Sequence, residues 1–232
     1  MYRFFFKRLF DILLSLCGIV VFAIPMIVIA IAVKVDSKGP VIFRQERYGK
    51  NGKVFKFYKF RSMTNDAPHN VATREIQGKS YITKVGGFLR KTSLDELPQM
   101  FCILKGDMSV IGPRPVVLTE TELNDYRKET GAIAVRPGLT GLAQVTARDN
   151  LKDMRLKAQI DGEYAKKITF CRDMKIFFKT IVKVLKREDV VEGTAQEDKV
   201  AELEKPAEQQ TTKAQEGLES AVATQIGADN VG

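Results

Sequence analysis

The sequence predicts an α+β chain, mostly helical, attached to a membrane by an N-terminal re-entrant helix. Three observations support this. Residues 12–33 carry no charge yet contain Pro25, Asn51-Gly52 separates two short runs of β-formers, and much of the remainder to residue 187 repeats apolar positions at helical spacing. With 232 residues, 44% of them hydrophobic, the chain is long enough for one domain with a real core plus appendages.

The apolar run comes first. At about 1.5 Å per residue it would just cross a hydrocarbon core of about 30 Å, but Pro25 removes a backbone donor in its middle and breaks the helix there. Both flanks are basic, Arg3, Lys7 and Arg8 before it and Lys34, Lys38, Arg44 and Arg47 after it. The positive-inside tendency then places both ends in the cytoplasm. A re-entrant hairpin over 1–36 satisfies both observations, and a spanning helix with a tolerated proline is the alternative. A signal peptide is disfavoured, because the run is too long and no small-residue cleavage site follows.

A cytoplasmic domain at the membrane interface follows over 37–191. Residues 41–44 and 54–58 flank Gly49-Lys50-Asn51-Gly52-Lys53 as a β-hairpin. The polar stretch 64–80, with the single histidine His69, reads as a surface loop. Around 92–99 a helix starts, with Thr92 or Ser93 as cap and acids in its first turn, and Leu94, Leu97, Phe101 and Leu104 then fall at core spacing. The stretches 106–115 and 136–138 read as ordered loops. Helices are expected over 118–130 and 151–165, and a basic amphipathic one over 173–187 suits a membrane surface or the domain core. Residues 192–232 lack aromatics and read as a disordered tail.

Before residue 192 there are 34 basic against 19 acidic residues, a surplus that attracts polyanions without choosing among nucleic acid, anionic lipid and phosphorylated small molecules. Three scattered cysteines give neither a disulfide framework nor a zinc site. One loop histidine argues against Ser-His-Asp or Cys-His catalysis.

Four strings carry chemistry: Lys59-Phe60-Arg61-Ser62-Met63, residues 90–99, residues 106–115, and Arg136-Pro137-Gly138-Leu139-Thr140-Gly141. They combine adjacent carboxylates with arginines on proline-flanked loops. Arginine grips phosphate oxygens in pairs, and a carboxylate beside it can hold Mg²⁺ or attack phosphorus. Taken singly, each has a plainer reading: Asp95-Glu96 as a dipole-stabilising pair, Lys59 and Arg61 as a solvated strand face, 106–115 as a connector.

In this order the strings resemble the bacterial sugar transferase family, the monotopic polyprenyl-phosphate phosphoglycosyl transferases. The resemblance runs from Lys7-Arg8-Leu9-Phe10-Asp11 to about Lys186 and includes Thr92-Ser93-Leu94-Asp95-Glu96-Leu97-Pro98-Gln99. It implies a re-entrant helix broken at Pro25, in agreement with the independent reading, although Ile24 stands where the family often has serine. It further implies transfer of a phosphosugar from a UDP-sugar to a polyprenyl phosphate such as undecaprenyl phosphate, at the cytoplasmic face of a bacterial inner membrane. Asp95 would be the nucleophile, Asp95 and Glu96 the Mg²⁺ ligands, and Lys59, Arg90, Arg114 and Arg148 the phosphate contacts. Inner-membrane lipid and downstream glycosyltransferases are the expected partners, nucleic acid is not, and the pathway would build a capsule, exopolysaccharide, O-antigen or glycoprotein. The rival from another class is a tethered basic protein that binds nucleic acid or anionic lipid, which leaves Asp95-Glu96 unexplained.

Overall fold

A computed structural model describes residues 2–67, 81–146 and 153–186. The chain divides into Met1–Val190 and Val191–Gly232, and every described element belongs to the first unit. His69, Arg148 and the tail over 192–232 lie outside the described residues.

A π-helical turn at Tyr2–Phe6 leads into α1 (Lys7–Val21), followed by α2 (Ala23–Asp36). The two helices are bent by 62° at the break, and among the described residues no single helix is long and apolar enough to cross a membrane. The interruption falls at Phe22 (φ −94°, ψ 9°), one turn upstream of Pro25. The proline lacks an N–H for the Val21 carbonyl, and its ring excludes that carbonyl from helical position, so the strain is released upstream. Ile24, Ile27, Val28, Ile31 and Val35 of α2 are exposed.

The charges flanking this pair hold it to the rest of the domain. Arg8 donates to the carbonyls of Ile103 and Leu104 (2.7 and 2.9 Å), and Asp11 accepts from the Val110 N–H and the Ser109 hydroxyl (both 2.9 Å). Asp173, fully buried, accepts from Lys7 Nζ and the Tyr2 hydroxyl at 2.8 Å and from the Tyr164 hydroxyl at 2.9 Å. At the other end Arg61 donates to the carbonyls of Val33, Ser37 and Lys38, closing the C-terminus of α2. Arg61 is 5% exposed, so it is an internal cap and not part of a solvated strand face.

The hairpin pairs β1 (Ile42–Tyr48) with β2 (Val54–Phe60), antiparallel from Ile42 opposite Phe60 to Tyr48 opposite Val54. Asn51 and Gly52 supply the left-handed turn (φ 56° and 75°). Then come α3 (Lys84–Lys91), a 3₁₀ turn at Leu94–Glu96 and α4 (Gln99–Lys105). Two three-residue strands, β3 (Ser109–Ile111) and β4 (Gly138–Thr140), pair in parallel around α5 (Thr121–Thr130). The chain finishes through α6 (Leu142–Thr146), α7 (Met154–Lys166) and α8 (Phe170–Lys186).

The main core gathers Phe55 and Phe57 of β2, Cys102 and Ile103 of α4, Met108, Tyr164 of α7 and Ile176 of α8. A second cluster joins Ile29 and Val33 of α2 to Phe60, Leu89 and Leu97. The end of β2 is therefore covered on both faces.

Two expectations at 92–104 are corrected. Thr92 does not cap the following helix; its hydroxyl bonds the Phe88 and Leu89 carbonyls, closing α3. Ser93 takes a left-handed conformation (φ 54°) and makes no capping bond. With the turn set this way, Cys102 and Ile103 take the buried face, Leu97 stays buried, and Phe101 is 49% exposed instead of lying in the core.

Candidate active site

Three chain segments meet around Asp95: the end of β2, the last turn of α3 and the 3₁₀ turn itself. Along β2, period-two alternation puts Lys59 on the face of core Phe55 and Phe57. Its ammonium lies 5.6 Å from the ring of Phe43, its cross-strand partner, with no hydrogen-bond partner among the described residues. The solvated-face reading of Lys59 is overturned by that register.

Arg90 is placed by close packing of α3 on residues 61–63. A side chain at Gly86 would put its Cβ 2.1 Å from the Ser62 carbonyl oxygen, so only glycine permits the approach. Across this contact Arg90 Nε donates to the Ser62 hydroxyl at 3.0 Å. Its Nη1 is buried and unbonded.

Asp95 is 6% exposed. Burial pushes its carboxyl above the usual range, while Lys59, then Arg90 and Arg114, pull it back. Burial pushes the Lys59 ammonium down to about 8, against the opposing pull of Asp95 and with the repulsion of Arg90 and Arg47. Glu96 faces Arg114 at 3.5 Å. The buried carboxylate is thus balanced by three cations on separate elements, an arrangement that suits a nucleophile held among the charges that would grip its anionic target.

Among the described residues no group of three or more His, Cys, Asp or Glu side chains is placed to hold a metal. Asp95 and Glu96 are two adjacent donors, too few for a zinc cage. They fit a Mg²⁺ ion, which binds through one or two carboxylates and otherwise keeps water and phosphate oxygens.

Sequence similarity now decides the family. A profile described as bacterial sugar transferase matches residues 2–187. The chain belongs to that family. It is 44% identical over 186 residues to a UDP-glucose:undecaprenyl-phosphate glucose-1-phosphate transferase of Klebsiella pneumoniae, covering 77% of this chain and 40% of that protein. It is 41% identical to a UDP-N-acetylgalactosamine-undecaprenyl-phosphate N-acetylgalactosaminephosphotransferase of Aeromonas hydrophila, over 78% of this chain and 44% of that one. An exopolysaccharide production protein PSS of Rhizobium leguminosarum bv. phaseoli is 39% identical over 78% of this chain and 96% of its own length. The chain thus spans about 40% of the length of the Klebsiella transferase it matches.

Of the residues singled out in this family member's sequence, Lys59, Arg90, Asp95, Glu96 and Arg114 converge, and Arg148 lies outside the described residues. Away from this cluster, Asp161 of α7 is locked to Arg127 of α5, which also donates to the Arg114 carbonyl at 2.9 Å and so fixes the loop carrying that arginine. Ser62 and Gln99 fall inside the strings picked out in the sequence but received no role of their own there; Gln99 lies four residues after Asp95, the spacing of one helical face.

Proposed function

We propose that the protein transfers a phosphosugar from a UDP-sugar to undecaprenyl or a related polyprenyl phosphate, releasing UMP, through a covalent intermediate on Asp95. The observation that carries this reading is the buried Asp95 carboxylate facing Lys59, Arg90 and Arg114. In the first step an Asp95 oxygen forms a bond to the sugar-linked phosphorus, and the P–O bond to UMP breaks with its electron pair leaving on UMP. In the second, an oxygen of the polyprenyl phosphate bonds the same phosphorus and the pair returns to Asp95. Splitting the transfer spares the site from holding two polyanions against one another.

Lys59 and Arg90 hold the transferring phosphoryl oxygens, Arg114 orients Glu96 and the diphosphate, and Arg148 contributes a further phosphate contact. Bound at Asp95 and Glu96, Mg²⁺ would neutralise diphosphate charge. The bent pair α1–α2 serves as a re-entrant anchor over 1–36, with the catalytic domain over 37–191 at the cytoplasmic face of a bacterial inner membrane and 192–232 as a tail. The exposed apolar residues of α2 and the basic amphipathic α8 support that placement. The product would open the membrane stage of a glycoconjugate pathway.

The test is UMP release by the detergent-purified protein from a panel of UDP-sugars, with Mg²⁺ and undecaprenyl phosphate. One sugar should support turnover, and Asp95→Asn should lower it by about 10³-fold or more, as expected for loss of a nucleophile. Turnover by the variant at the wild-type rate, or none by either protein, would overturn the reading.

A further inference from the structure

Arg47 lies at the end of β1 and counts in the sequence only toward the basic flank of the apolar run, yet its side chain turns inward and is half-buried. On the shared face of the hairpin, Phe43, Gln45 and Arg47 stand opposite Lys59, Phe57 and Phe55. The Arg47 guanidinium leans along that face toward Lys59. It lies 4.2 Å from the centre of the Phe57 ring and donates through Nε and Nη2 to the Gln45 side-chain oxygen, at 3.2 and 3.0 Å. The next residue pair along the face is Phe43 opposite Lys59.

The third nitrogen of Arg47 leaves the hairpin. Nη1 donates at 2.7 Å to the carbonyl of Pro115, the residue after Arg114. Beside it the Tyr48 N–H donates to the Val116 carbonyl at 3.0 Å, and Arg47 bridges to Val117 in antiparallel fashion, so residues 115–117 run along the edge of β1 that β2 leaves free. Upstream, the Gly138 N–H donates to the Pro113 carbonyl at 2.9 Å and Arg127 to the Arg114 carbonyl at 2.9 Å.

Four successive carbonyls, from Pro113 to Val116, are therefore each held by a donor outside the loop. A backbone fastened at every residue is a rigid mount, and the side chain it presents is Arg114, which faces Glu96 at 3.5 Å. Arg127 ties the mount to α5 and α7. Of the four donors, Arg47 is the one whose side chain also rests on the hairpin face that carries Lys59.

We propose that Arg47 is a positioning residue that fixes the spacing between Arg114 and Lys59, so that both cations meet one diphosphate without rearrangement. A displacement of about 1 Å in such a pair can cost about 10²-fold in rate, and a loop that must be ordered at binding weakens the grip further. This inference rests on the phosphosugar-transfer reading. If Arg47 merely glued the loop to the hairpin, its loss would reduce the folded fraction by the same factor whether or not Arg114 were present.

The test is a double-mutant cycle on UMP release, with wild type, Arg47→Met, Arg114→Met and the pair. Single-turnover reactions with enzyme in excess over UDP-sugar keep the slow variants measurable. Arg47→Met should lower kcat/KM by 10- to 100-fold in the wild-type background and by no more than about twofold when Arg114 is already methionine. Arg47→Lys, which keeps the charge and one donor, goes through the same cycle and should lose less while showing the same dependence on Arg114. Equal losses in the two backgrounds, for either substitution, would overturn the positioning role. So would wild-type kcat/KM in both single variants, and failure of both to fold would assign Arg47 to the architecture instead. A wild-type protein that releases no UMP would remove the reaction itself, and the role of Arg47 with it.

Discussion

The N-terminal helix pair and the turn at Asp95 use the same residue types in opposite ways. Around α1 and α2 the charges are spent mainly on structure: Lys7 on Asp173, Arg8 on the end of α4, Asp11 on β3, and both terminal nitrogens of Arg61 on the end of α2, its Nε alone left without a partner. Around Asp95, Lys59 lacks a hydrogen-bond partner among the described residues and Arg90 Nη1 is buried and unmade. Satisfied charges in a folded chain are architecture; charges kept close and unsatisfied are an invitation to a ligand that brings the missing acceptors.

The largest effect should come from breaking the satisfied set. Asp173→Ala strands Lys7 Nζ and the hydroxyls of Tyr2 and Tyr164 in a buried setting, and loss of one partner from such a network costs about 3–5 kcal/mol. Thermal denaturation in detergent should show a fall of many degrees, whereas UMP release per folded molecule should be retained. A small shift in melting temperature would mean that α1 and α8 are held together by apolar packing and that the network is incidental.

Lys59 offers the converse case. Removing an unsatisfied, desolvated charge in Lys59→Met should lower turnover by about 10²-fold and leave the melting temperature unchanged or raised. Its pKa sharpens the contrast. With the folded-state value pushed from 10.5 down to about 8, the folded protein releases the Lys59 proton before the unfolded chain does. Stability attributable to this group therefore rises with pH between about 8 and 10.5, while the proposed transfer, in which the ammonium grips a phosphoryl oxygen, should fall across the same range. Lys59→Arg does not titrate there, so its rate should hold flat where wild type declines. A wild-type rate that stays level to pH 9.5 would show that the ammonium is dispensable.

How much of this could be read from the chain follows the same division. The hairpin was legible because Asn51-Gly52 demands a left-handed turn and adopts one. The bend between α1 and α2 was legible from Pro25, although the break fell at Phe22 because the ring acts on the preceding turn. Helix α3 was not, since Gly86-Gly87 reads as a breaker until the backbone of Ser62 is seen to require Gly86. Nor were β3 and β4, three residues each, whose pairing joins segments far apart in sequence. Asp95, Glu96, Lys59, Arg90 and Arg114 were picked out by the resemblance; their convergence depends on strand register and on the fold of α3, which no local string encodes. The basic flanks of α1 were read as topology signals, and their service as internal ties needed the tertiary structure.

The smallest expected effect lies at Ser93, where the chain reverses into the 3₁₀ turn that presents Asp95. A left-handed conformation costs a non-glycine residue about 1–2 kcal/mol, and Ser93 holds φ 54° with no side-chain bond in return. Ser93→Gly removes that strain but loosens the unfolded chain by about 0.5–1 kcal/mol, so the two terms nearly cancel. The melting temperature should move by no more than a few degrees, upward. If the strained residue serves to fix the angle at which Asp95 meets Lys59 and Arg90, turnover should still fall severalfold, because the glycine admits backbone conformations that the serine excludes. Equal turnover in the two proteins would place the rigidity of the site in Pro98 and the packing of Leu97, and would make the strain at Ser93 a cost of the fold alone.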